Sequence, residues 1–320
     1  MLPFARCPDA ALRRVRFVFT DIDDTLTSEG QLTAEAYQAM ERLRDDGLMV
    51  IPITGRPAGW CDHIARFWPV DGVVGENGAF WFRYDRDARR LIKRFLVSDA
   101  ERAANRQRLE RIGQEILKAV PGTALASDQL YREADIAIDF CEDVKRLDDA
   151  SIDRIVALME AEGMTAKVSS IHVNGWFGRY DKLGMTRILL KEAFGADLDA
   201  VRHRCVFLGD SPNDAPMFGF FPLSLGVANV RPFLPRMSAT PAYVTRELGE
   251  PVPARNRRTA KSNAPEAERL RRVVTRRREA VLLEQRQDTL RSLVGDRQSA
   301  DAELLLDLQS LQLRAFLGEI

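Results

Sequence analysis

Asp21 and Asp23 stand two residues apart, directly after the β-branched and aromatic run 15–19, in the stretch VRFVFTDIDDTLT. In an open α/β sheet chemistry sits just beyond the carboxyl ends of the strands, so both side chains emerge where such folds work. One carboxylate can act as a nucleophile while the second exchanges a proton with the leaving group and then with water. Several acidic groups facing an anionic substrate repel it, and a hard divalent cation on oxygen ligands, Mg²⁺, removes that conflict. Taken alone, the stretch reads equally well as an acidic surface turn or a helix cap.

Residues of complementary chemistry stand at later strand ends. The run 48–53 ends in Thr54-Gly55-Arg56-Pro57, where a hydroxyl and a glycine amide can grip an oxyanion with no side chain in the way. Gly55 and Arg56 are candidates for substrate contact, as is Asn77, although Asn77-Gly78 is also a turn signal in its own right. Lys182, at a helix start, is either a surface lysine or a positive charge added to the site. The strand 204–208 delivers Gly209-Asp210-Ser211-Pro212-Asn213-Asp214, two more carboxylates and an amide, repeating the logic of the first cluster.

The elements that must position these groups follow from periodicity. Strands at 15–19, 48–53 and 71–74 alternate with helices over 33–46 and 57–67, the second with Pro57 in its first turn. This is the beginning of a doubly wound α/β fold with a mostly parallel, Rossmann-like sheet. From 79 the pattern changes to a hairpin, 79–84 with 91–97, then helices over 99–119 and 148–162 among half-polar strands at 135–140 and 165–177. Such alternation predicts an inserted α+β cap domain with one exposed sheet face. The expected boundaries are core 1–82, cap 83–178, core again 179–248, and a linker with a helical C-terminal extension over 249–320.

Composition sets the class. The 320 residues include 47 Lys plus Arg and 47 Asp plus Glu, so the net charge is zero and no nucleic-acid footprint is expected. No apolar run reaches the ~18–20 residues of a membrane span, and no leader is evident. Cys7, Cys61, Cys141 and Cys205 are too scattered for a zinc site or a disulfide framework, which points to a reducing cytoplasm.

In order, DIDDTLT, ITGR, the lysine of DKLG, and GDSPNDAPMF resemble the motifs of the haloacid dehalogenase superfamily over about residues 15–245. The likeness is to its branch with a large α/β cap, which includes sugar-phosphate phosphatases and phosphomannomutase. The resemblance implies that Asp21 attacks phosphorus to form an aspartyl-phosphate and that Asp23 serves as acid and base. It implies that Thr54 and Lys182 hold phosphoryl oxygens, and that Mg²⁺ is bound by Asp21, the Asp23 carbonyl and Asp210, with Asn213 and Asp214 in or just behind the shell. In this branch the cap chooses the leaving group, which makes Asn174, Trp176 and Arg179, beside His172, the specificity candidates; Trp176 equally suits the cap's own core. Many relatives carry glycine where Asp24 stands.

The expected function is hydrolysis of a small phosphorylated metabolite, most simply a sugar phosphate. A phosphomutase would use the same carboxylates, and a non-catalytic phosphometabolite-binding scaffold is the alternative from another class. Beyond the likeness lies a tail with the run Arg276-Arg277-Arg278 and a leucine-rich end, a candidate for packing against a partner or a second copy.

Overall fold

The computed structural model describes residues 1–28 and 30–245. The expected helical extension over 249–320 lies outside the described residues. Six parallel strands form the core sheet, in the order Leu2–Pro3, Tyr243–Val244, Ser224–Gly226, Cys205–Gly209, Phe17–Thr20, Met49–Pro52. Side chains alternate across it, as the two-residue repeat of a strand requires. Val18, Val50 and Val206 pack on one face with Met40, Leu43 and Ile64 from the helices Ala34–Asp45 and Ala58–Phe67. Phe17, Phe19, Ile51 and Phe207 pack on the other with Met185, Leu189 and Met217 from the helices Lys182–Phe194 and Ala215–Phe220. Apolar side chains on both faces explain why these strands read as continuous hydrophobic runs.

Three expectations are corrected. The strand Val73–Gly75 adjoins the sheet through a parallel bridge from Ile53 to Val74, and the hairpin Phe80–Asp85 with Arg90–Phe95 pairs antiparallel onto it. A core-to-cap boundary after 82 therefore falls inside a strand, and the hairpin belongs to the core's sheet layer. Pro57 is extended, with ψ 166°, and precedes the helix Ala58–Phe67 as its cap.

The third correction concerns the cap, a four-stranded antiparallel sheet in the order Thr165–Val168, His172–Trp176, Asp135–Asp139, Ala124–Leu125. Ile136, Ile138 and Val173 face the helices Asp99–Ala119 and Asp149–Ala161, which Ser98 and Asp148 cap by accepting N–H groups from Glu101 and Ser151. The opposite face carries Asp135, Asp139, His172 and Asn174, and it is buried rather than exposed. Its cover is the core. Arg132 donates to the Gly55 carbonyl at 2.9 Å, and the fully buried Glu76 carboxylate accepts N–H groups from Ala58 in the core and from Glu133, Ala134 and Asp135 in the cap. Polar residues there read as solvent-facing only because a strand pattern does not reveal a polar lid.

Glu76 thus satisfies donors on both sides of one interface, and leaving buried N–H groups unpaired costs free energy. Glu76→Gln is expected to lower stability by about 1–3 kcal/mol in urea unfolding; an unchanged midpoint would show that the core and cap do not depend on it.

Candidate active site

The strand Phe17–Thr20 lies beside Cys205–Gly209 in register, Thr20 opposite Leu208, and the Asp21 amide continues the ladder by donating to the Leu208 carbonyl at 2.8 Å. Asp21 and the 210–214 loop therefore leave the sheet side by side. Asp214 turns back on its own loop: its Oδ2 accepts the amides of Asp210 and Ser211 at 3.0 and 3.3 Å. The fold requires glycine at 209, because a Cβ there would overlap the Asp214 carboxylate.

Lys182 enters from the opposite direction, at the start of the helix Lys182–Phe194, whose cap Asp181 accepts the Gly184 amide. Its Nζ bonds Asp21 Oδ1 and Asp214 Oδ1, each at 2.7 Å, and it is 1 % exposed. The turn Glu76–Gly78 presses against this helix start. Gly78 has φ 111°, and a Cβ would collide with the Asp181 carbonyl, so the sequence signal Asn77-Gly78 serves a close approach as well as a turn.

Asp21, Asp210 and Asp214 each present an oxygen within 4.8 Å of the others, all buried. Burial pushes the Asp21 carboxyl up to about 8; Lys182 pulls it down, and Asp214 and Asp23 add to the rise. Burial, with Asp21 and Asp214, likewise holds Asp210 well above the carboxylate range. For Lys182, burial alone would lower the ammonium, but Asp21 and Asp214 outweigh it and the group is held above its ordinary value. Three buried carboxylates around one ammonium leave negative charge uncompensated. An all-oxygen donor set of this kind fits a hard divalent cation. Within it Asp214 already accepts from Lys182 and two amides, so Asp21 and Asp210 are the freer donors. Asn213 is engaged too, accepting from Ser211 Oγ and donating to Asn77 Oδ1.

The Asp23 carboxylate accepts from Arg56 Nε at 2.9 Å. Asp24 has φ 56°, the left-handed region in which glycine is at ease, and its carbonyl is held by Asn229. Thr54 is fully buried with Oγ1 accepting the Arg56 amide, and a Cβ at Gly55 would meet the side-chain amides of Asn77 and Asn174.

A small cavity lies between core and cap, with Asp21, Asp23, Gly55, Arg56, Ser211 and Asn213 from the core. Arg132, Ser169, Ser170, Ile171, His172 and Asn174 close it from the cap. Thr54, Asn77, Trp176, Arg179, Lys182, Asp210 and Asp214 are not among the lining residues. Trp176 is buried and stacks on Tyr180, ring centroids 5.3 Å apart, while Arg179 is exposed beside it. Sequence reasoning missed Arg132, Ser169, Ser170, Asp128 and Glu142; the available signal for Glu142 was its place just past the strand Asp135–Asp139.

Asp210→Asn removes one repelling charge while retaining an acceptor for Asn229. In chelator it is expected to raise Tm by about 2–4 °C, the size of about 1 kcal/mol in a domain of this length, and to lose most of any Mg²⁺-dependent rise. A less stable variant that still responds fully to Mg²⁺ would contradict the charge balance described.

Residues 18–104 match the family model of haloacid dehalogenase-like hydrolases. No curated protein matches the chain. Among solved structures, the Thermoplasma acidophilum 0175 protein superposes with TM-score 0.56 at 20% identity, over 80% of this chain and 96% of that one. A trehalose-6-phosphate phosphatase related protein gives 0.51 at 12%, over 84% and 99%, and a Bacteroides thetaiotaomicron phosphatase of the haloalkanoate superfamily gives 0.51 at 16%, over 84% and 98%. At these identities the likeness is one of fold. The acidic strand end, the Thr54 loop and the Asn77 turn thus lie in the stretch, 18–104, that matches the model of haloacid dehalogenase-like hydrolases.

Proposed function

We propose that the protein is a Mg²⁺-dependent phosphatase that hydrolyses a small phosphorylated metabolite, a sugar phosphate, through an aspartyl-phosphate. The observation that carries the reading is the pairing of Asp21 and Asp23 in one cavity, the first pinned by Lys182 and flanked by Asp210, the second pinned by Arg56. Asp21 attacks phosphorus and forms an Asp21 Oδ–P bond as the bond to the leaving oxygen breaks, and Asp23 gives that oxygen a proton. Asp23 then takes a proton from water as the water oxygen attacks phosphorus and releases the Asp21 carboxylate with inorganic phosphate. Lys182 fixes the attacking carboxylate and keeps a positive charge beside the transferring group. Mg²⁺, held by Asp21 and Asp210 with Asp214 behind them, would supply the charge that offsets the acidic cluster and the phosphoryl oxygens. Thr54 and Gly55 are assigned to the phosphoryl side and Asn174 to the leaving group.

The sugar assignment draws on the hydroxyl, amide and imidazole groups of Ser169, Ser170, Asn174 and His172 at the cavity, which suit a hydroxylated leaving group. A neighbour in fold is described as related to trehalose-6-phosphate phosphatase, which agrees with it.

Phosphate release from a panel of phosphorylated sugars and other small metabolites tests the reading. Turnover is expected with Mg²⁺, absent after chelation, and reduced at least about 10³-fold in Asp21→Asn, as for loss of a nucleophile. Release that survives Asp21→Asn would place the chemistry elsewhere.

A further inference from the structure

Arg56 belongs to the core, yet most of its charge partners do not. Its Nε bonds Asp23 Oδ1 and Oδ2 at 2.9 and 3.1 Å. Its Nη2 bonds Glu142 Oε1 at 2.7 Å, and its Nη1 lies 3.3 Å from Asp128 Oδ2. The side chain is 6 % exposed, with the guanidinium 4.4 Å from the centroid of the Trp60 ring. Every nitrogen of the guanidinium therefore meets a carboxylate, one from the core and two from the cap. Arg56, expected to contact substrate, lines the cavity with its planar fork occupied by these protein carboxylates.

The two cap carboxylates are themselves fixed. Glu142 Oε2 lies 2.9 Å from His172 Nε2, and burial, which would raise the Glu142 carboxyl, is outweighed by the neighbouring His172 and Arg56, which hold it down to about 2. Asp128 Oδ1 accepts Arg132 Nε and Nη2 at 3.2 and 3.1 Å, and Arg132 is anchored in turn on Asp135. Among the described residues, Arg56 is the one side chain that donates to the Asp23 carboxylate. The acid–base group of the proposed reaction thus owes its rotamer to an arginine whose own position is set from the cap.

We propose that Glu142 and Asp128 are positioning residues for Asp23, acting through Arg56, so that seating the cap and orienting the acid–base group are one event. The proposal rests on the phosphatase reading above. It gives the cap a part in the proton-transfer step in addition to its part in choosing the leaving group. A side chain that only binds substrate would lower the rate for every ester alike, whereas one that orients the proton donor matters in proportion to how much the leaving oxygen needs a proton.

The test compares an alkyl phosphate, the sugar phosphate with the fastest turnover in the panel, with p-nitrophenyl phosphate, whose leaving group departs without protonation. Glu142→Gln and Asp128→Asn in the full chain, near-isosteric and checked by thermal melts, are expected together to lower kcat/KM on the alkyl phosphate about 10–100-fold, within the range of acid–base catalysis. On p-nitrophenyl phosphate kcat/KM, which ends at phosphorylation of Asp21 and so excludes the later hydrolysis in which Asp23 is the base for either ester, stays within about twofold of the parent. Arg56→Lys, which keeps the charge but loses the fork, shows the same split between the two esters. In an Asp23→Asn background, Glu142→Gln adds no further loss on the alkyl phosphate, because the group it positions is gone. Equal losses of kcat/KM on both esters, or losses that add to those of Asp23→Asn, would overturn the proposal and leave Glu142 and Asp128 as structural or binding residues. Failure of the phosphatase reading looks different: the parent itself would turn over neither ester, and the proposal would fall with it.

Discussion

The structure depends on one costly arrangement, the burial of Asp21, Asp210 and Asp214 around the single ammonium of Lys182. Charges removed from water must be repaid by close pairing and by oriented donors. The fold supplies both. Two neighbouring parallel strands in register bring Asp21 and the 210–214 loop together, and the amides of Asp210 and Ser211 hold Asp214. A helix start delivers Lys182 from the other side. The glycines at 209 and 78 are the local cost of that convergence, since each removes a Cβ that would strike a neighbouring carboxylate or carbonyl. Negative charge that remains uncompensated is what suits the site to a hard divalent cation.

The cap solves a related problem by different means. One face of its sheet carries an apolar core under two helices, and the other carries Asp135, Asp139, His172 and Asn174. Burying the polar face against the core is tolerable only because its groups are paired: Glu76 takes backbone amides from both domains, and Arg132 links Asp128 and Asp135 to the Gly55 carbonyl. The same pairing makes the interface specific, because any displacement of the cap leaves buried carboxylates and N–H groups unmatched. Cap and core therefore share one polar network, in which the cavity is a gap lined by its members.

Much of this was legible in the sequence. The strands at 15–19, 48–53 and 204–208 show themselves as apolar runs because both faces of a parallel sheet are covered, and each is followed by the residues that its strand end presents. Asp21, Asp23, Lys182 and Asp210 could be singled out because carboxylates and a lysine at strand and helix ends are chemically conspicuous. Less legible were features that depend on pairing across hundreds of residues or between domains. Nothing local distinguishes Arg56 as a partner of Glu142 from Arg56 as a ligand of substrate, and nothing in the strand 165–177 shows that its polar face is covered. Trp176 suggested a sugar platform by its type, but its stacking on Tyr180 depends on how the chain re-enters the core. The hairpin Phe80–Asp85 with Arg90–Phe95 was placed at the cap boundary because a hairpin breaks the βα rhythm; its pairing partner, Val73–Gly75, decides its membership.

The central claim, that Asp21 carries the phosphoryl group during turnover, is tested most directly by acid-quenching the protein during steady-state hydrolysis and reducing it with borohydride before peptide mass analysis. An aspartyl-phosphate is converted to homoserine by that treatment, and the account predicts homoserine at position 21 alone, only with substrate and Mg²⁺ present. Turnover with position 21 unmodified, or with the modification at Asp23 or Asp210, would contradict it.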